Sequence, residues 1–296
     1  MAIKPKIICL TAILLLHPGL FFAQEFRSEK VFIKSEPSPQ PESQPQEEVV
    51  VPKKPALEEI TRDAKYYGLI IGVNNYNDPA ITFLENPIND AQKLYQLLTT
   101  KYTFEKRDVQ LLKDPKREDI IYSLDYLSRV VTPEDNLLIF YAGHGFWDQE
   151  SNIGFWLPSD ARKISQAAWF RNSTLVDYLK SIKSRHTLLI TDACFGGSIF
   201  KTRKAFTDAP KAIEILYEFP SRKAMTSGSL TEVPDQSSFT RFLLERLEQN
   251  KQKYLSSEQL FSSLRTAVIN NSESIPQYGE IRNVGDQGGD FIFIKK

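Results

Sequence analysis

The chain has 296 residues, 41% hydrophobic and 25% charged, with 37 basic and 37 acidic side chains and no net charge. That balance, with no basic stripe interleaved with aromatics, excludes an obvious nucleic-acid surface. Two cysteines cannot form a disulfide framework, and three scattered histidines give no zinc site of usual spacing.

Lys4 and Lys6 precede an apolar run from Ile7 to Leu16, which His17-Pro18-Gly19 breaks; Ala23 offers a small residue for cleavage. Residues 1–23 have the layout of a secretory signal peptide, with an uncleaved N-terminal membrane anchor as the alternative. No other stretch reads as a span. Cleavage removes Cys9, His17 and both lysines, so the exported chain, periplasmic or secreted, is slightly acidic and keeps Cys194 alone. A lone thiol in an oxidising compartment points to chemistry; the alternative is a buried structural cysteine. Residues 24–63 are rich in Pro and Glu, and no aromatic occurs between 33 and 65. Such a segment cannot bury enough apolar surface to offset chain entropy, so an extended, disordered linker is expected. Residues 64–296 suffice for one domain.

Within that domain, strands and helices alternate. Gly68 to Val73 reads as a buried strand. Asn86 caps a helix with Pro87 at its first position, and Ile88, Ala91, Leu94, Tyr95 and Leu98 form its inner face. Val109 to Leu112 is a strand. Asp114-Pro115 starts a second helix, with Ile120, Leu124, Leu127 and Val131 inward, and Thr132-Pro133 stops it. Leu137 to Tyr141 is a strand. Ser173 opens a helix with Leu175, Val176, Leu179 and Ile182 inward, and Thr187 to Thr191 is the next strand. A strand near Lys223 to Thr226 follows, then a helix from about Ser238 to Leu247, one with a Ser256/Gln259 capping box, and a last strand from Phe291 to Ile294. Continuous apolar strands separated by helices predict an α/β fold, with a mostly parallel sheet covered on both faces. Its site belongs beyond the carboxyl ends of the strands.

Two residues stand there. His144 follows one strand in Tyr141-Ala142-Gly143-His144-Gly145. Cys194 follows another, 50 residues on, in Asp192-Ala193-Cys194-Phe195-Gly196-Gly197. An imidazole that takes the thiol's proton creates the thiolate nucleophile, and it can then protonate a leaving amine. The flanking glycines permit close backbone approach, so the N–H groups of Gly145 and Cys194 are candidates to hold an oxyanion. Each residue alone would read as structural; together, at two strand ends, they read as a dyad. His186 has no partner motif and reads as a surface or strand-entry residue. Trp147, Trp156 and Trp169 read as packing, with Trp147 near enough to His144 to flank a cleft. No Walker loop and no nucleophile elbow occurs.

The paired motifs resemble the caspase-like cysteine peptidases, in which the histidine precedes the cysteine by about 50 residues. Asp192 stands where the caspase pattern has Gln, which is similar to the metacaspase and paracaspase branch. Tyr67 to Tyr76 resembles that family's first strand, and Asn89-Asp90-Ala91 its first helix. The resemblance covers Tyr66 onward and is strongest up to Gly197. It implies a caspase-like fold with a six-stranded, mostly parallel sheet, and a cysteine endopeptidase. It further implies an S1 pocket in which Asp192 and Asp90 receive Arg or Lys of a protein or peptide substrate. A buried aspartate beside a nucleophile does need a cation, and a guanidinium supplies one; Asp90 alternatively serves the dipole of its helix. Pro87 departs from the branch, where a cysteine is common. Calcium activation is common there too, but no calcium-loop motif occurs and no cofactor is expected. Basic residues Lys201, Arg203 and Lys204, and Lys53-Lys54 in the linker, are candidate self-processing sites. The alternatives are a non-catalytic caspase-like binding module and a hydrolase of another acyl substrate.

Overall fold

The computed structural model describes residues 57–193, 200–201, 210–228 and 236–296. The sheet is built on β1 (Tyr66–Gly72), β2 (Val109–Lys113), β3 (Asn136–Ala142), β7 (His186–Asp192) and β9 (Ser221–Thr226). These five run parallel in the order β2-β1-β3-β7-β9. β11 (Gln277–Ile281) adds antiparallel to β9, and the two-residue β8 (Phe200–Lys201) pairs at the far edge. Six strands therefore make the principal sheet, and β8 extends it to seven. β1, β3 and β7 are buried along their whole length, as expected of strands covered on both faces.

Two apolar cores separate at the sheet. On one face, Ile70, Phe140 and Ile190 pack with α2 (Pro87–Lys101), α6 (Ser238–Gln249) and α7 (Ser257–Asn271). On the other, Leu69, Ile139 and Leu189 pack with α3 (Arg117–Val130) and α4 (Asn172–Ser181). The expected inner faces hold. Ala91, Leu94 and Leu98 of α2 are buried, as are Ile120, Leu124, Leu127 and Val131 around α3. α7 carries the expected capping box, Ser256 with Gln259. A further helix, α5 (Pro210–Glu218), lies between β8 and β9.

Several expectations are corrected. α1 (Leu57–Thr61) forms within the expected linker, because Leu57 is buried in the first core. Asp114-Pro115 does not start α3, which begins at Arg117; Asp114 instead turns the chain with φ +48°. The last strand, β12 (Ile292–Ile294), joins β10 (Tyr254–Ser256) in a separate antiparallel pair. A small antiparallel sheet follows His144: β4 (Gly145–Asp148), β5 (Ile153–Trp156) and β6 (Phe170–Arg171). His186 is not at the surface. It opens β7 fully buried, with Nε2–H donating to the Tyr217 carbonyl at 3.0 Å and Nδ1 accepting from Ser221 Oγ at 2.9 Å.

The connections diverge between β1 and β3. The chain leaves β1 for β2 on one side, then crosses to β3 on the other. Such a point opens a crevice beyond the carboxyl ends of the strands.

Candidate active site

His144 stands at this crevice. Gly143 joins it to β3 at φ +155°, and a side chain there would press on the Tyr141 hydroxyl at 2.9 Å, so glycine is needed. The Tyr141 hydroxyl shares its one hydrogen between the carbonyls of His144 and Leu157, at 2.7 and 3.1 Å, while its ring stacks on Trp156 at 4.4 Å. The His144 N–H donates to the Tyr76 hydroxyl at 2.9 Å, and the Tyr76 ring lies 5.2 Å from the imidazole. The main chain of His144 is thus fixed from β3, β5 and the segment after β1.

The imidazole is fixed as well. Nε2 lies 2.8 Å from the carbonyl of Thr82, in the segment between β1 and α2. A carbonyl can only accept, so Nε2 carries the hydrogen, and in the neutral ring Nδ1 keeps the lone pair. That assigns the basic nitrogen. Neither role was legible in sequence: Thr82 acts through its main chain, and Tyr76 reads only as the end of the first-strand motif.

Register supplies the next relation. β3 and β7 are neighbours with Ala142 opposite Asp192, and the Gly143 N–H reaches the Asp192 carbonyl at 3.4 Å. The two strands end level. Cys194 itself lies outside the described residues, two positions past Asp192.

Asp192 is 5% exposed and turns its carboxylate toward α6, where Oδ2 accepts from Thr240 Oγ1 at 2.5 Å. Among the described residues, Oδ1 has no hydrogen-bond partner. Burial pushes this carboxyl above the usual carboxylate range, and the nearby hydroxyls of Ser237, Thr240 and Ser227 pull the other way. Among the described residues Ser227 Oγ makes no formed hydrogen bond, so its pull is that of a nearby dipole. A buried carboxylate with one idle oxygen is an acceptor suited to a cation. Asp90 sits in the first turn of α2, 3.9 Å from Lys93. α2 packs against α6, the helix whose Thr240 holds Asp192. Gly145, the candidate oxyanion donor, opens β4 directly after His144. Of the tryptophans, Trp156 and Trp169 are buried in packing, and Trp147 is half-buried on β4. Among the described residues, no cluster of His, Cys, Asp and Glu is placed to hold a metal, and no helix is long and apolar enough to cross a membrane.

The model of the caspase domain of peptidase family C14 matches residues 65–283. The chain belongs to the caspase-domain peptidase family. Its fold is similar to that of caspase-1 from Spodoptera frugiperda, with a TM-score of 0.53 at 15% identity over 74% of this chain and 87% of that one. It is equally similar to protein GSU0716 from Geobacter sulfurreducens, with a TM-score of 0.52 at 15% identity over 75% of this chain and 97% of that one. Among curated sequences, Metacaspase-1 of Saccharomyces cerevisiae is 32% identical over 85 residues, 26% of this chain and 19% of the relative. Metacaspase-1 of Schizosaccharomyces pombe is 29% identical over 93 residues, 29% of this chain and 21% of the relative. The chain thus spans about a fifth of the length of the curated relatives it matches. Family and fold agree with the expectation drawn from the His144 and Cys194 motifs.

Proposed function

We propose that the chain is a cysteine endopeptidase that works through His144 and Cys194 and cuts after arginine or lysine. The observation that carries this reading is the register of Ala142 with Asp192, because each residue stands two positions before a member of the dyad. Neighbouring strands lie about 4.8 Å apart, a gap that a thiol and an imidazole can bridge.

In this reading Cys194 gives its Sγ proton to Nδ1 of His144, and the thiolate attacks the carbonyl carbon of the substrate. The N–H groups of Gly145 and Cys194 hold the resulting oxyanion. The C–N bond then breaks as Nδ1 returns the proton to the leaving amine. Water, deprotonated by Nδ1, hydrolyses the thioester and restores the thiol. Asp192 receives the P1 cation on its idle oxygen, with Asp90 as the second acid of the pocket. All groups come from the protein itself, and the substrate is a protein or peptide. The exported location, the leader at residues 1–23 and self-processing belong to the same proposal. Residues 1–56, Arg203 and Lys204 lie outside the described residues.

A peptide library with every P1 residue tests it. Cleavage after Arg and Lys is expected. Cleavage after Asp with Arg and Lys ignored, or none at all, would overturn the reading.

A further inference from the structure

Two groups that hold His144, the Tyr76 hydroxyl and the Thr82 carbonyl, sit on one irregular segment between β1 and α2. Irregular segments move unless something ties them down. The first tie on this one is Asp114. At the end of β2, Asp114 continues the strand pairing through its N–H to the Gly72 carbonyl at 2.9 Å, then turns with φ +48°. Aspartate is one of the few residues that enter this region readily, and in this conformation its carboxylate faces back across β1. Oδ1 accepts from the N–H groups of Asn74 and Asn75 at 2.7 and 2.9 Å, and Oδ2 from Nδ2 of Asn75 at 2.7 Å.

Asn74 passes the constraint on. Its side-chain oxygen accepts from the Ile88 N–H at 2.8 Å, its amide donates to the Glu85 carbonyl at 2.9 Å, and its own carbonyl accepts from the Leu84 N–H at 3.0 Å. The turn that carries Thr82 is thereby closed on the residue that Asp114 grips. Tyr76 follows directly after Asn75. Asp78 makes a further anchor, with its carboxylate accepting from the N–H groups of Ala80 and Lys163.

We infer that Asp114 is a positioning residue for His144: it locks the β1–α2 segment so that the Thr82 carbonyl holds Nε2–H and leaves Nδ1 as the base. The kinetic side of this inference rests on the proposed peptidase reading; the placement of the imidazole does not. The lock needs acceptor oxygens and a backbone that tolerates positive φ, and asparagine offers both. Its amide group can pair with Asn75 once the Asn75 side chain flips, because that residue is exposed. Asp114→Asn is therefore the conservative replacement, and Asp114→Gly removes the acceptors without adding backbone strain.

The test combines ¹⁵N spectra of the histidine imidazoles with kinetics on an Arg-P1 peptide, using the full chain, with His144 assigned from a His144→Gln spectrum. The wild type and Asp114→Asn should both show His144 as the Nε2–H tautomer, with similar kcat. Asp114→Gly should show averaged His144 nitrogens, unchanged His186 nitrogens, and a kcat lower by about ten- to a hundredfold at nearly constant KM. A purely structural role would lower stability and leave the tautomer alone. Unchanged His144 nitrogens and kcat in Asp114→Gly would overturn the inference, and so would equal impairment of Asp114→Asn. If Asp114→Gly does not fold, Asp114→Ser keeps one acceptor and should fall between; wild-type behaviour there overturns the inference as well. An inactive wild type would sink the peptidase reading, while the spectra would still decide the role of Asp114.

Discussion

Asp192, a carboxylate raised by burial with one oxygen unpartnered among the described residues, is the most informative single residue beside the proposed dyad. Asp192 must be ionised to receive a cation, yet its surroundings favour the neutral form. Preference for Arg over an uncharged P1 residue should therefore fall as pH drops through the raised Asp192 titration. Asp192→Asn should flatten that dependence and lose about 2–5 kcal/mol of discrimination. The ratio of kcat/KM for Arg and Gln peptides against pH measures it; an unchanged ratio in Asp192→Asn would place the P1 contact elsewhere. Thr240→Val removes a donor that favours the charged form, so the preference should fade at higher pH than in the wild type. Asp192 was legible in sequence because it lies next to the cysteine motif. Thr240 was not, since a helix threonine 48 residues away carries no local sign of its partner.

Elements with a strong period were read correctly, as were the short apolar strands β2, β9 and β12, while other short or irregular elements were missed. α3 was clear from Ile120, Leu124 and Leu127, which repeat at helical spacing and are buried together. β4, β5 and β6 are two to four residues long, too short for alternation to appear. β12 shows why a pattern of apolar strands cannot give pairing direction: it pairs antiparallel outside the principal sheet. The approach of α2 to β1 makes a prediction at this scale. A Cβ on Gly72 would lie 2.6 Å from the Pro87 carbonyl and 2.7 Å from Ile88 Cα, both main-chain atoms. Gly72→Ala should push the helix outward, cost about 1–3 kcal/mol and lower kcat, because the displaced segment carries Thr82. Urea unfolding and kinetics on one preparation would measure both. Ser256→Ala, at the cap of α7, should cost about 1 kcal/mol with kcat unchanged.

For the molecule as a whole, the buried His186 couples folding to pH. Burial lowers its pKa from 6.5 to about 3, so the unfolded chain takes up a proton that the folded chain refuses. His186 costs nothing above its unfolded pKa. It destabilises progressively as pH falls from about 6.5 toward 3, by on the order of 4 kcal/mol at the lower end. Asp192 and Asp290, both raised by burial, act in the opposite direction by favouring the protonated fold. His186→Phe should be less stable at neutral pH, because Ser221 Oγ and the Tyr217 carbonyl lose their partner, yet flatter in acid. Parallel stability curves would contradict this. Self-processing also belongs to this scale. Lys201 pairs with β11, which protects its main chain; Arg203, Lys204 and Lys53-Lys54, the other proposed cuts, lie outside the described residues. Mass spectrometry should find those ends in the wild type and not in Cys194→Ala.

The most direct test of the account is peptide turnover by Cys194→Ala, His144→Ala and the double variant, each shown to be folded by its thermal transition. Groups that act as a unit lose activity together, so each single variant should abolish turnover and the double variant should be hardly worse. Substantial turnover by folded Cys194→Ala would contradict the account.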